Sequence, residues 1–208
     1  MASSPVKICN LALSHLGAGA IAALTEGSAE ANACNLHYDT ARDAVLRDFP
    51  WNFATKRAVL AALSETVPAP WSYLYALPTD CLLAREIVNT TGTTRIPFSV
   101  ESNSGGTARI LLTDQASATL VYTARVTEAA LFDPMFVEAL SWRLAASICM
   151  PITRDRNIMQ MAQTMYLNAI AQAQRADGNE GQADTPADAD WIVARGIGGG
   201  DTRYPWRP

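Results

Sequence analysis

Apolar residues recur at helical spacing towards both ends of the chain and alternate with polar ones in the middle. The clearest helix is predicted over 133–150 (DPMFVEALSWRLAASICM), with Asp133 as N-cap, Pro134 at the first helical position and Pro151 as the stop. Val137, Leu140, Leu144 and Ile148 form one stripe; Met135, Ala139, Trp142, Ala146 and Cys149 form another. A helix apolar over most of its circumference is buried between other elements.

Two helices are expected before it. Ser4-Pro5 starts one over 6–16, closed by Gly17, with Ile8, Ala12 and Leu16 on one face. Ser28 caps a longer one to about Phe49, with Cys34, Tyr38, Ala41, Val45 and Phe49 at helical spacing. Asn32, Asp39 and Arg42 lie off that stripe and are expected to face water or a partner. Pro50 breaks the helix, and Trp51 and Phe53 are expected to pack under the bend; 57–63 reads as a further helical turn or two.

From Thr66 the period changes to two. Residues 71–77 read as a strand or extended segment, 82–88 as a strand and 89–94 (NTTGTT) as a turn. Ile96, Phe98 and Val100 alternate in a strand that Pro97 places at an edge. A hairpin turn at 103–106 leads to Ala108, Ile110 and Leu112, and then to Ala118, Leu120, Tyr122, Ala124 and Val126. This describes one small, mostly antiparallel sheet. A final helix follows 133–150, capped by Thr153 and running to about Ala176, with Ile158, Met161, Met165, Ala169 and Ala173 as its stripe, widened by Met159, Tyr166 and Ile170. Arg154 and Arg156 are placed in its first turn, where the helix dipole disfavours positive charge unless it is solvated or met by an acid.

The expected fold class is therefore α+β: a helical bundle formed by both ends of the chain, an inserted small antiparallel β domain and an extended C-terminal arm. The boundaries are 1–65 and 129–176 for the bundle, 66–128 for the β-rich insertion and 177–208 for the arm. The arm is acidic and small at 177–190, glycine-rich at 196–200, and has too little apolar content for a core of its own. Yet it carries Trp191, Ile192, Val193, Tyr204 and Trp206. Large rings on a polar arm are typical anchors for a partner surface, a reading we take over a tail folded back on its own domain or simply disordered.

Composition narrows the function. The chain of 208 residues is 49% apolar with a formal net charge of −4, which suits a globular protein with a real core. No basic run points to duplex DNA binding, no signal peptide is apparent and no stretch approaches a transmembrane helix in length. Cys9, Cys34, Cys81 and Cys149 form no CxxC pair and are read as reduced core residues of a cytosolically made protein. His15 and His37 lack a metal-like partner at i+4, and the glycines at 196–200 neither follow a strand nor open a helix. Glu65, Asp80, Glu86, Glu101 and Asp114 form no recognisable pair, and Asp80 is expected to stabilise a turn. No catalytic, cofactor or metal residue is assigned, and the chain is not expected to be an enzyme.

Four blocks resemble a known family. They are Ile8-Cys9-Asn10-Leu11-Ala12-Leu13 with Leu16-Gly17; Tyr38, Arg42 and Val45-Leu46 with Trp51-Asn52-Phe53-Ala54 and Arg57; Tyr75-Ala76-Leu77-Pro78-Thr79-Asp80-Cys81-Leu82; and Asp133-Pro134-Met135-Phe136-Val137-Glu138-Ala139-Leu140, followed by a helix with Tyr166. In this order and spacing they resemble the tail tubular protein A family, the head-to-tail adaptors of short-tailed bacteriophages. The resemblance spans 5 to about 176. It implies a homo-oligomeric ring, usually of twelve subunits, in the virion neck. Such a ring sits beneath the portal protein, joins it to the tail nozzle or another tail protein, and lines a channel that DNA crosses without specific binding. It implies no membrane and no cofactor. The arm residues would grip the portal or a neighbouring subunit, and Arg42, Arg154 and Arg156 would be candidates for a subunit interface. The net negative charge suits a channel that must not hold phosphates. The alternatives are a monomeric cytosolic domain that binds a partner through its aromatic tail, and a small enzyme using the sheet carboxylates.

Overall fold

A computed structural model describes residues 3–89 and 95–177. The chain is mixed helix and sheet, as expected, with four α-helices and two three-stranded antiparallel sheets among the described residues.

Helix α1 (Pro5–His15) begins where Ser4 Oγ accepts from the Lys7 amide. It ends at Gly17, which takes a left-handed φ of 68° that a Cβ would disfavour. Helix α2 (Ala29–Asp48) is capped by Ser28, whose Oγ accepts from the Ala31 amide. Helix α3 (Pro134–Ile152) starts where Asp133 accepts from the Met135 amide at 2.7 Å.

Two expectations at the far end of α3 are corrected. Pro151 does not stop the helix but lies in its last turn. There its missing N–H deprives only the Ser147 carbonyl, and Ser147 is exposed, so water can serve instead. Thr153 closes α3, its N–H and Oγ1 both donating to the Cys149 carbonyl, rather than opening the next helix. Helix α4 (Arg156–Asp177) is opened by Asp155, whose Oδ1 accepts from the Asn157 amide at 2.7 Å.

The turn after α2 is followed by a strand. Residues 52–54 make one 3-10 turn, and β1 (Thr55–Val59) then pairs with β6 (Thr119–Ala124), so the helical reading of 57–63 is wrong. TKRAV has little strand character of its own and becomes a strand only against β6. The β region therefore starts at Thr55, eleven residues before the expected boundary at 66. Strand β3 (Cys81–Ile87) takes the other side of β6. The second sheet places β5 (Arg109–Thr113) between β2 (Tyr73–Ala76) and β4 (Phe98–Ser102), which is an edge strand as Pro97 suggested. The single expected sheet is thus two. Gly106, at φ 66°, turns the β4–β5 hairpin; the turn expected at 89–94 lies largely outside the described residues.

The helices share one core. Helix α3 packs on α1, α2 and α4, and buries Phe136, Leu140, Leu144 and Ile148 completely. Trp51 is 1% exposed and meets Phe136 edge-on at 5.1 Å between ring centroids, while its Nε1 donates to the Val45 carbonyl. Phe53 and Phe132 close on Phe136 from other sides, at 5.1 and 4.8 Å. A second core lies between the sheets, where Tyr75 and Leu111 meet Leu120, Tyr122 and Ala124. On the opposite face of the second sheet, Leu74, Ile110 and Leu112 are covered by Leu63, Val67 and Trp71. On α4 the buried line is Ala162, Tyr166, Ala169, Ile170 and Ala173. Met161 and Met165, placed in the expected stripe, are 48% and 38% exposed instead.

Candidate functional site

The three arginines singled out from the sequence have three different settings. Arg42 does not face water. It is 6% exposed, and its guanidinium donates to Asp39 at 2.8 Å and to Asp43 at 2.8 and 3.0 Å. Asp43 also accepts from Arg125 Nε at 2.7 Å, which ties α2 to the segment after β6. Arg154 is not in the first turn of α4. It stands in the connection after α3 with a left-handed φ of 55°, and its N–H donates to the Cys149 carbonyl. Arg156 is the first residue of α4 and is exposed, next to the capping Asp155. Arg42 stands on α2, whereas Arg154 and Arg156 are exposed at the α3–α4 connection and the start of α4. Trp191, Ile192, Val193, Tyr204 and Trp206 lie outside the described residues.

Buried polar contacts knit the helices to one another. His15 on α1 stacks on Trp142 of α3, rings 3.5 Å apart and 7° from parallel, with Nε2 3.0 Å from Ser141 Oγ. Ser141 Oγ donates its one proton to the Glu138 carbonyl at 2.8 Å, so His15 Nε2 must carry the proton it gives to Ser141. Burial lowers the His15 pKa below the usual histidine value, and the Glu138 carboxylate opposes this only in part. This is a neutral packing histidine. Tyr166 on α4 donates to Asp48 on α2, and the Arg143 guanidinium lies 5.4 Å from the Tyr166 ring centroid. Burial, then the Asp48 carboxylate, pushes the Tyr166 pKa up.

Asp80 is a cross-strand acceptor more than a local turn residue. It takes Lys56 Nζ at 2.8 Å and Tyr122 OH at 3.0 Å. Burial alone would raise its pKa, but these two donors outweigh it and hold the carboxyl below its usual value. Burial, then Asp80, pushes Tyr122 up to about 12. The group ties Lys56 of β1 and Tyr122 of β6, which face each other across the first sheet, to the turn before β3. No group of three or more His, Cys, Asp or Glu side chains suited to a metal gathers among the described residues. A cleft of about 560 Å³ lies beside β2 and β5 with Glu65 and Glu101 on its walls.

Exposed apolar side chains are the other feature of the described surface. Leu36 on α2, Val59 on β1 and Leu167 on α4 are 72%, 75% and 65% exposed, and Met150, Met161 and Met165 add to the α3–α4 hairpin. Helix α3 itself is long and apolar enough to cross a membrane by length and composition, contrary to the expectation that no stretch approaches that length. Half of its most apolar window is buried within the chain, which is the packing of a core helix.

No protein-family model matches this chain, and no curated protein matches it.

Sequence reasoning missed the Asp43 bridge and the His15–Ser141 contact because both join residues far apart in the chain, and no local pattern marks them. Arg42 carried a readable signal in Asp39, three residues before it on α2 and within reach of its guanidinium.

Proposed function

We propose that this chain is a head-to-tail adaptor of a short-tailed bacteriophage. It forms a homo-oligomeric ring in the virion neck, beneath the portal protein and above the tail nozzle or another tail protein. DNA passes through the ring without specific binding. In this reading the protein is not an enzyme and uses no cofactor. Its helices form a bundle from both ends of the chain, and the β region beginning at Thr55 is an insertion in that bundle.

The order and spacing of the four residue blocks carry the reading. Their positions in the fold support it. Trp51 and Phe53 of the second block and Phe136 of the fourth meet in one aromatic cluster, and Tyr166 ties α4 to Asp48 at the end of α2. The second and fourth blocks thus coincide with contacts that hold α2, α3, α4 and the start of the β region together. The bundle arrangement is supported by the packing of α1, α2 and α4 on α3. Apolar side chains at more than half exposure on α2, β1 and α4 suit a chain that buries further surface on assembly.

The mechanism is assembly by many weak contacts. Each subunit would dock its arm through Trp191, Ile192, Val193, Tyr204 and Trp206. Ordering such a segment costs on the order of 1–2 kcal/mol per residue, so binding per subunit is weak. A ring multiplies it by raising the effective concentration of every further arm. Exposed Arg156, with Arg154 beside it in sequence, would serve a subunit contact, whereas Arg42 would act by holding α2 in shape.

Native mass spectrometry of the chain, alone and mixed with the portal protein of the same virion, tests the proposal. A multimer on the portal is expected, and removal of 177–208 should weaken its attachment while leaving the helices folded. A chain that stays monomeric with the portal present contradicts the reading, and attachment unaffected by the deletion removes the arm from it.

A further inference from the structure

A cleft of about 380 Å³ opens on one face of α2, where Asn35, Tyr38, Asp39 and Arg42 stand at helical spacing. Pro5 at the start of α1 and Leu24 in the connection between α1 and α2 line it with apolar surface, and Thr127 after β6 adds a hydroxyl. Tyr38 is 5% exposed, and its hydroxyl has no hydrogen-bond partner among the described residues. A buried hydroxyl left without a partner is costly to keep, which marks it as a group held for something else.

We propose that this cleft binds a neutral sugar, whose ring hydroxyls meet the buried polar groups of α2 while its C–H face rests on Pro5 and Leu24. The floor of the cleft calls for an acceptor. Burial pushes the Tyr38 pKa up to about 12, so the hydroxyl keeps a proton to give. Arg42 is also buried. It spends one N–H on Asp39 and two on Asp43, and two of the five donors of a guanidinium remain. The acceptor need not be charged. Two carboxylates already face the one guanidinium, so a phosphate or carboxylate ligand would meet as much repulsion as attraction.

The rim calls for a donor. Asp39 gives Oδ1 to Arg42 and has Oδ2 to spare, on a side chain that is 77% exposed. A hydroxyl both accepts and donates, so two neighbouring hydroxyls of one ring serve floor and rim together. The site is also organised in advance. Asp39 and Asp43 hold Arg42, and Arg125 holds Asp43, so little side-chain freedom is lost on binding. Asn35, Asp39 and Thr127 are exposed, and their rotation opens the way to the floor. The cleft is near the lower end of the range of about 300–1,000 Å³ for ligand sites, which suits a single ring more than a chain. The site lies within one chain and does not rest on the adaptor reading.

The test follows the backbone amides of the full chain by two-dimensional NMR. D-glucose, D-galactose, D-mannose and N-acetyl-D-glucosamine are added separately to tens of millimolar, with sodium phosphate, sodium acetate and a blocked dipeptide as the other arms. Saturable shifts at Leu24, Asn35, Tyr38, Asp39, Arg42 and Thr127 are expected with at least one sugar and with none of the other arms. Tyr38→Phe removes only the unpartnered hydroxyl, so its unfolding temperature should not fall, while the sugar dissociation constant should rise about tenfold. Asn35→Ala, on the exposed rim, should weaken binding severalfold, and Leu36→Ala, exposed on α2 outside the cleft, should leave it unchanged. The proposal is overturned if no sugar moves these amides, if phosphate, acetate or the dipeptide moves them instead, or if Tyr38→Phe binds sugar with unaltered affinity.

Discussion

Replacing Phe136 with alanine removes the ring on which the helical core converges. Phe136 is fully buried and touches Trp51, Phe53 and Phe132 at centroid distances between 4.8 and 5.1 Å. Truncating a buried phenylalanine costs about 3–5 kcal/mol, the sum of lost transfer energy and the cavity left behind. Edge-to-face pairs contribute about 0.5–1.5 kcal/mol each beyond area, so three of them argue for the upper half of that range. The three remaining rings come from two stretches of the chain, 51–53 and 132, and cannot all close on the vacancy together. Against a total stability of about 5–15 kcal/mol, a loss near 4 kcal/mol removes a large share. Urea unfolding followed by tryptophan fluorescence measures it, since Trp51 is buried against the ring being removed. With a slope of about 2 kcal/mol per molar urea, the midpoint should fall by roughly 2 M at unchanged slope. A fall of less than about 0.5 M would refute the view that this cluster joins α3 to the bend after α2.

Other perturbations read other parts of the fold. Neutral His15 is favoured by the folded state, so the unfolded chain binds the extra proton first; stability is present above the ordinary value of 6.5 and is lost as pH falls from there towards the lowered folded value. NMR titration should find His15 below 6.5, and His15→Gln should flatten the stability–pH profile in that window; a midpoint at or above 6.5 contradicts the stacked neutral ring. Asp155→Ala removes the cap of α4 and should cost about 1 kcal/mol in thermal unfolding, whereas Thr153→Ala should leave the first turn of α4 intact by amide exchange. Arg154→Gly relieves a left-handed residue and should stabilise by about 1 kcal/mol; a destabilisation would mean that the Arg154 side chain makes a contact worth more than the backbone relief.

What was legible from the residues was local. Ser4, Ser28 and Asp133 cap their helices as expected because a cap depends on a side chain and an amide two or three residues away. Trp51 and Phe53 were readable as core from two rings placed next to a helix break. What was not legible needed a distant partner. Strand β1 has a polar sequence and exists through its register with β6, with Lys56 opposite Tyr122. Dividing the alternating residues between two sheets needed the knowledge that Leu111 faces one core while Ile110 and Leu112 face the other. On α4 the expected stripe was wide, and the structure buries its side through Tyr166, Ala169, Ile170 and Ala173 while leaving Met161 and Met165 outside. At 153–155 two capping side chains compete within three residues, and the winner depends on Thr153 first turning back to the Cys149 carbonyl.

The long apolar helix α3 carries no acid–base pair, and its buried polar group, Ser141, is used to hold His15. Among the described residues, large apolar side chains stay exposed on α2, β1 and α4.

Negative-stain imaging of the chain mixed with its portal tests the adaptor reading most directly. The account predicts a closed ring stacked coaxially on the portal, with density absent from the portal alone. Portal rings unchanged beside separate single particles of this chain would contradict it.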